Sequence, residues 1–405
     1  MTKSRHRGAL RVGSAQDERL AVRGHGKRWR WRGVRVVVRG LIDGQWKDVI
    51  AEDGWITDVG EAGMGQLTGA RLIDTAGRLL PGFVDVHVHG GGGADVMDAS
   101  MDAFEQIAMT HARHGTTSLL LTTVAASREA TLATLSAWRK PGKWRGADVL
   151  GFHLEGPFIH PERRGAHPAE YVRTPSQAEL RAYAGAGAVR ILTLAPELPS
   201  ADETIQAAHE LGIVVSLGHS AATYGEAMRA FDLGAKCATH LFNAMDGLHH
   251  RRPGLAAAAL DRADAMVELI LDGVHVHPAV ARLAMRIKGR HGVMLVTDAV
   301  SVVDMPEGRY WFAGGEVVYE DGAVRRPDGT LAGSALTMER AVQVGLAHGV
   351  FLPSDVPYVA AANAARLLGE RRGRIERGYR ADLVALSAEG AVTHTIVGGR
   401  LVHCA

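Results

Sequence analysis

The sequence predicts an α/β protein built on a (β/α)8 metallo-barrel, with a small β-sandwich domain made from both chain ends. Three observations carry this. Eight short apolar runs, at 83–88, 117–124, 148–154, 189–194, 213–217, 236–241, 266–271 and 293–297, space themselves along the middle of a 405-residue chain. Helical periodicity fills most gaps between them. Residues able to ligate a metal or move a proton fall at the C-terminal ends of these runs. Strands alternating with helices define a parallel sheet. A closed barrel gathers its strand ends on one rim, whereas an open doubly wound sheet does not collect chemistry from its whole length.

In chain order, residues 1–32 hold ten Lys/Arg and two Asp/Glu. They lack an apolar core segment, so they do not read as a secretory signal, and residues 1–30 read as a basic, disordered extension. Residues 31–77 read as short strands broken by Asp43-Gly44 and Asp53-Gly54 turns. The far end, 366–405, repeats that pattern, so the two segments form one discontinuous β domain around a barrel at 78–365. Within the barrel, helical spacing recurs at 101–114, 127–138, 176–184, 201–211, 224–233 and 278–288.

Composition narrows the class. Outside the basic tail the chain is mildly acidic, which gives no general reason to expect polyanion or nucleic-acid binding. No apolar run approaches the roughly 20 residues of a membrane span. Two cysteines, Cys237 and Cys404, make no disulfide framework and point to a reducing, cytoplasmic setting.

The chemistry lies at the strand ends. In 83–88 the alternation of Val84, Val86 and Val88 with Asp85, His87 and His89 puts both histidines on one strand face. Such a pair also occurs without a metal. The other runs end in Glu155, His219, His240, His275 and Asp298. Together these nitrogen and oxygen donors suit Zn²⁺ or another first-row divalent ion, with Fe, Mn and Co as alternatives. An ion in such a site activates water near neutral pH and polarises a carbonyl. A neighbouring carboxylate can carry the proton to a leaving amine. Asp298 fits that role, and it also fits plain metal ligation.

The segments PGFVDVHVHG, HLEGPF, LGHS, THLFNAM, DGVHVHP, TDA and LAGSALTM follow one another as they do in N-acetylglucosamine-6-phosphate deacetylases of the amidohydrolase superfamily, which this chain resembles over about 33–402. The resemblance implies hydrolysis of the acetamide of N-acetylglucosamine 6-phosphate, or of an epimer such as the galactosamine compound. It implies that Glu155, His219 and His240 hold the main metal. His87 and His89 then serve a second ion near Glu155 and Asp298; members with Gln and Asn in their place use one metal. Asp298 becomes the catalytic acid and base, and His167 sits near the sugar. Asn243 and the Ala244 backbone face the phosphate. Arg251 and His275 resemble a phosphate clamp lent by the other subunit of a homodimer. The fourth strand, 189–194, has no lysine to bridge two metals, unlike dihydroorotase, hydantoinase and urease types. Arg252 stands where the family's Arg-Glu-Pro-Gly has Glu, and Ala364 where an Asn-Pro-Ala pattern has Pro.

Overall fold

A computed structural model describes residues 35–63, 69–139 and 144–405. The expected basic extension lies outside them. The first strands are β1 (Arg35–Ile42), β2 (Gln45–Glu52), β3 (Trp55–Glu61) and β4 (Arg71–Pro81). Asp43-Gly44 and Asp53-Gly54 have positive φ at both residues, as the tight hairpins joining β1 to β2 and β2 to β3 require.

The barrel follows. β5 (Phe83–Val88) opens it, and a minute hairpin of β6 (Gly90–Gly91) and β7 (Ala94–Asp95) caps that strand. Then come β8 (Thr116–Thr123), β9 (Asp148–Glu155), β10 (Val189–Leu194), β11 (Val214–Leu217), β12 (Cys237–Ala238), β13 (Met266–Ile270) and β14 (Val293–Val296). They pair in parallel in the order β14-β13-β12-β11-β10-β9-β8-β5. The ring closes just past β14, where Asp298 N donates to His87 O at 2.9 Å and His89 N to Ala299 O at 2.8 Å. Asp85 braces the closure by accepting the Thr297 hydroxyl at 2.6 Å.

The expected helices form as α1 (Met101–Arg113), α2 (Arg128–Ala137), α3 (Gln177–Ala186), α4 (Ala201–Glu210) and α5 (Tyr224–Asp232). After α6 (Gly254–Asp261) comes α7 (Pro278–Lys288), and α8 (Met338–Ala347) and α9 (Asn363–Leu367) lie beyond β14. Ser100, Ser127, Ser176, Thr223 and Thr337 each accept a backbone N–H three residues on, so the chain's Ser and Thr residues fix where five helices start.

One element escapes the strand-and-helix alternation. β15 (Gly308–Phe312), β16 (Gly315–Glu320), β17 (Ala323–Arg325) and β18 (Leu331–Ser334) form an antiparallel sheet inserted after β14. Its Phe312, Val317, Val324 and Ala332 pack on Val124, Val300 and Val302. The turn pairs Ala313-Gly314 and Asp321-Gly322 were the readable signal for it. The expected strand at 236–241 is also cut short, because the chain turns away at His240, whose φ is 28°.

The chain ends meet as expected. β19 (Leu383–Leu386), β20 (Val392–Val397) and β21 (Arg400–Cys404) join β1–β4 in one ladder, β19 pairing with β4. Val38, Val49, Leu79, Leu383 and Ile396 share its core. Buried Arg372 ties this module to the barrel, donating to Asp148 at 2.5 Å, Asp382 at 2.8 Å and the Ser118 hydroxyl at 2.9 Å. Arg372→Ala leaves the fully buried Asp382 without its main counter-charge. Removing one partner of a buried ion pair costs about 3–5 kcal/mol, and the loss is read as a lowered denaturant midpoint.

Candidate active site

The barrel rim collects six side chains from five strands. His87 and His89 come from β5 and its end, Glu155 from the end of β9, His219 from beyond β11, His240 from beyond β12 and Asp298 from beyond β14. All six are buried. His219 (φ 48°), His240 (φ 28°) and Asp298 (φ 51°) hold left-handed backbone conformations. These cost side-chain-bearing residues of order 1–3 kcal/mol each and persist where the surroundings enforce them, often at functional sites. Gly90 serves the same crowding: a Cβ there would lie 2.5 Å from Ala94 O and 2.6 Å from Ser301 N.

Glu155 is the hub. Its Oε1 lies 2.9 Å from His240 Nε2, 3.1 Å from His219 Nε2 and 3.3 Å from His87 Nε2. Its Oε2 lies 3.1 Å from His89 Nε2. Asp298 Oδ1 is 3.2 Å from His89 Nε2 and 3.5 Å from His87 Nε2. Burial alone would raise the carboxyl pKa of both acids. Instead His87 and His219 hold Glu155 well below the usual range, and His87 and His89 lower Asp298.

The ring protons show which nitrogens can ligate. His219 Nδ1 faces Arg163 O at 2.7 Å, and His89 Nδ1 faces Thr122 O at 3.1 Å. A carbonyl only accepts, so Nδ1 carries a proton, and in the neutral ring Nε2 is the nitrogen left to ligate. Yet His219 and His240 Nε2 stand 3.0 Å apart, and His87 and His89 Nε2 3.3 Å apart. Lone pairs at that distance repel unless a cation or protons lie among them. The donor set therefore fits one or two divalent cations, with His219, His240 and Glu155 mutually within about 3 Å on one side and His87, His89 and Asp298 on the other.

His167 differs. Its Nδ1 accepts from Ala125 N at 2.9 Å, so its proton is on Nε2, 3.2 Å from Glu155 Oε2. It is a hydrogen-bond donor at the cavity, not a ligand.

The six open on, or lie just beneath, a cavity of about 510 Å³. Asn243, Ala244 and His275 form part of one wall, and Phe312, Arg325 and Thr330 of the inserted sheet another. His275, expected to serve a neighbouring subunit, also lines the cavity of its own chain. Asp272 pins it there through His275 N at 2.8 Å and Nδ1 at 2.6 Å. Arg251 is exposed, contacts His250 Nε2 at 2.8 Å and does not line this cavity. Sequence reasoning also missed Arg163, Arg325 and Phe312 on the cavity wall, and the buried Glu268 behind His87. A lone glutamate in the apolar run 266–271 was the available sign of the last.

A parallel barrel with histidines and carboxylates gathered on its C-terminal rim defines a metal-dependent hydrolase of the amidohydrolase type. The amidohydrolase family model matches residues 78–402, and the chain belongs to that family. It is 37% identical to the N-acetylgalactosamine-6-phosphate deacetylase of Escherichia coli O157:H7, over 87% of this chain and 97% of that protein. It is 38% identical to the N-acetylglucosamine-6-phosphate deacetylase of Bacillus subtilis (strain 168), over 80% and 84%. Among solved structures, a mutant of the Mycobacterium smegmatis N-acetyl-D-glucosamine-6-phosphate deacetylase, in complex with N-acetyl-D-glucosamine-6-phosphate, is similar with a TM-score of 0.85. That match has 33% identity and covers 91% of this chain and 100% of that one.

The ring-proton assignment sets His167 apart from the donors gathered around Glu155. Glu155→Ala should purify with markedly less bound metal than the wild type, whereas His167→Asn should keep its metal. Elemental analysis of the purified proteins checks both.

Proposed function

We propose that this protein hydrolyses the acetamide of N-acetylglucosamine 6-phosphate, giving glucosamine 6-phosphate and acetate in amino-sugar metabolism. The observation that carries the proposal is a buried Asp298 sharing one cavity with a convergent donor set and with His275 and Asn243 on its wall. The named relatives support the same substrate class.

Glu155, His219 and His240 hold the principal cation, and His87 and His89 hold a second with Glu155 and Asp298 beside it. Zinc matches this nitrogen and oxygen set best; Fe, Mn and Co are the alternatives. The bound ion supplies Lewis acidity, which activates water and polarises the acetyl carbonyl. Asp298 takes the proton of the attacking water and delivers it to the departing amine. His167 donates its Nε2–H toward the sugar and its acetamide. Asn243, the Ala244 backbone and His275 take the phosphate, which accepts hydrogen bonds readily from such donors.

With metal retained, Asp298→Asn should lower kcat on the order of 10²–10⁴-fold, the usual contribution of one acid–base group. Acetate release from the glucosamine and galactosamine epimers decides the substrate. The glucosamine compound is expected to have the higher kcat/KM; a higher value for the galactosamine epimer would favour the second reading, which the Escherichia coli O157:H7 relative supports.

Arg251 fits a homodimer in which it reaches the neighbouring cavity. Its exposure supports this, as does an apolar stripe on α7, where Val280, Leu283 and Ile287 lie exposed one helical turn apart. Arg251→Ala and Asp298→Asn should each be impaired alone. Mixed and reassociated, they should recover activity, because the hybrid joins an intact Asp298 site to a partner's arginine. A chain with two cysteines and no disulfide framework in its sequence suits a reducing, cytoplasmic setting.

A further inference from the structure

Below the rim, β13 carries Glu268 with no exposed surface between Val267 and Leu269. A carboxylate buried in a strand is expensive unless its partners repay the lost hydration. Glu268 Oε2 accepts two hydrogen bonds. One comes from His87 Nδ1 at 3.1 Å, the other from the His240 backbone N–H at 3.1 Å. Its Oε1 is buried with no hydrogen-bond partner among the described residues. A side chain there only to fill space would do better as a leucine.

His87, His153 and Glu268 lie close enough to suggest a separate metal trio. The ring nitrogens of His153 argue against it. Nδ1 faces Val86 O at 2.9 Å and Nε2 the Thr193 hydroxyl at 2.7 Å, so both are spent. His87 in turn has one Nδ1, and its N–H donates to Glu268. The cluster therefore supports the site above rather than forming another.

We propose that Glu268 is a positioning residue for metal binding, fixing His87 as the Nδ1–H tautomer so that its Nε2 lone pair faces the cation. Held the other way, Nε2–H would point at Glu155 and His87 could not ligate. The same oxygen fixes the backbone of His240 where the chain leaves β12, so one carboxylate aligns ligands from two strands. A carboxylate behind a ligating imidazole also raises its basicity. The proposal rests on His87 being a ligand.

The test uses full-length protein stripped of metal and titrated with Zn²⁺ against a chromophoric chelator. Glu268→Leu should weaken Zn²⁺ binding on the order of 10–100-fold, the usual cost of losing such a supporting group. Glu268→Gln, which can still accept both hydrogen bonds, should recover part of that loss. In stripped wild type labelled with ¹⁵N-histidine, the His87 ring, assigned by its loss in His87→Asn, should give the Nδ1–H signature. A folded Glu268→Leu protein with wild-type Zn²⁺ affinity would overturn the proposal. So would an Nε2–H tautomer at His87 in wild type, a measurement that needs no folded Glu268 variant. Wild type that binds no Zn²⁺ would instead overturn the metal reading itself.

Discussion

Backbone hydrogen bonds, from Asp298 N to His87 O and from His89 N to Ala299 O, join the end of the last barrel strand to the first. Much of the site depends on that closure. It sets Asp298 against the two β5 histidines, although more than 200 residues separate them in sequence. An open sheet would leave Asp298 at one edge and His87 at the other. The closure in turn depends on Asp85, whose carboxyl burial pushes up to about 7 while Thr297 and the His87 backbone hydrogen-bond to it. A buried acid that binds the neighbouring strand holds the seam where a ligand strand begins.

The rim is electrostatically unfinished as a set of protein groups alone. Imidazole Nε2 atoms face one another across about 3 Å, with carboxylates between them. In a low-dielectric interior such charges and dipoles interact strongly. The left-handed backbones of His219, His240 and Asp298 add conformational cost at the same positions. Packing beneath must hold all of this in place. The hydroxyls of Thr193, Ser216 and Thr239 form a chain at 2.6–2.7 Å in the barrel interior, ending on His153. Rigidity there lets the rim keep an arrangement that no ligand side chain would choose alone.

How much of this was legible follows from the physics of each element. The first and fourth barrel strands and the seventh helix were readable to the residue, because a period of two or 3.6 and a clear breaker bound each. The six donor-bearing rim residues were readable because strand ends in a barrel share one face. The inserted sheet was not, because β15–β18 lie in a long stretch where the strand–helix rhythm stops. Its turn pairs announce hairpins but not where they dock. The place of His275 on its own chain's cavity wall follows from its hydrogen bonds to Asp272, three residues away, which the strand pattern does not announce. Ring tautomers lie beyond sequence altogether, since they depend on which carbonyl or carboxylate meets each nitrogen.

The central claim is that Glu155, His219 and His240 surround a cation. Anomalous diffraction at the absorption edge of the bound metal, from crystals of protein purified without chelator, tests it most directly. The account predicts a peak about 2.0–2.2 Å from Nε2 of both histidines and from a Glu155 oxygen, as tetrahedral zinc sites require. A second peak beside His87 and His89 would mark the other site. Metal-replete crystals with no peak among these three residues would contradict it.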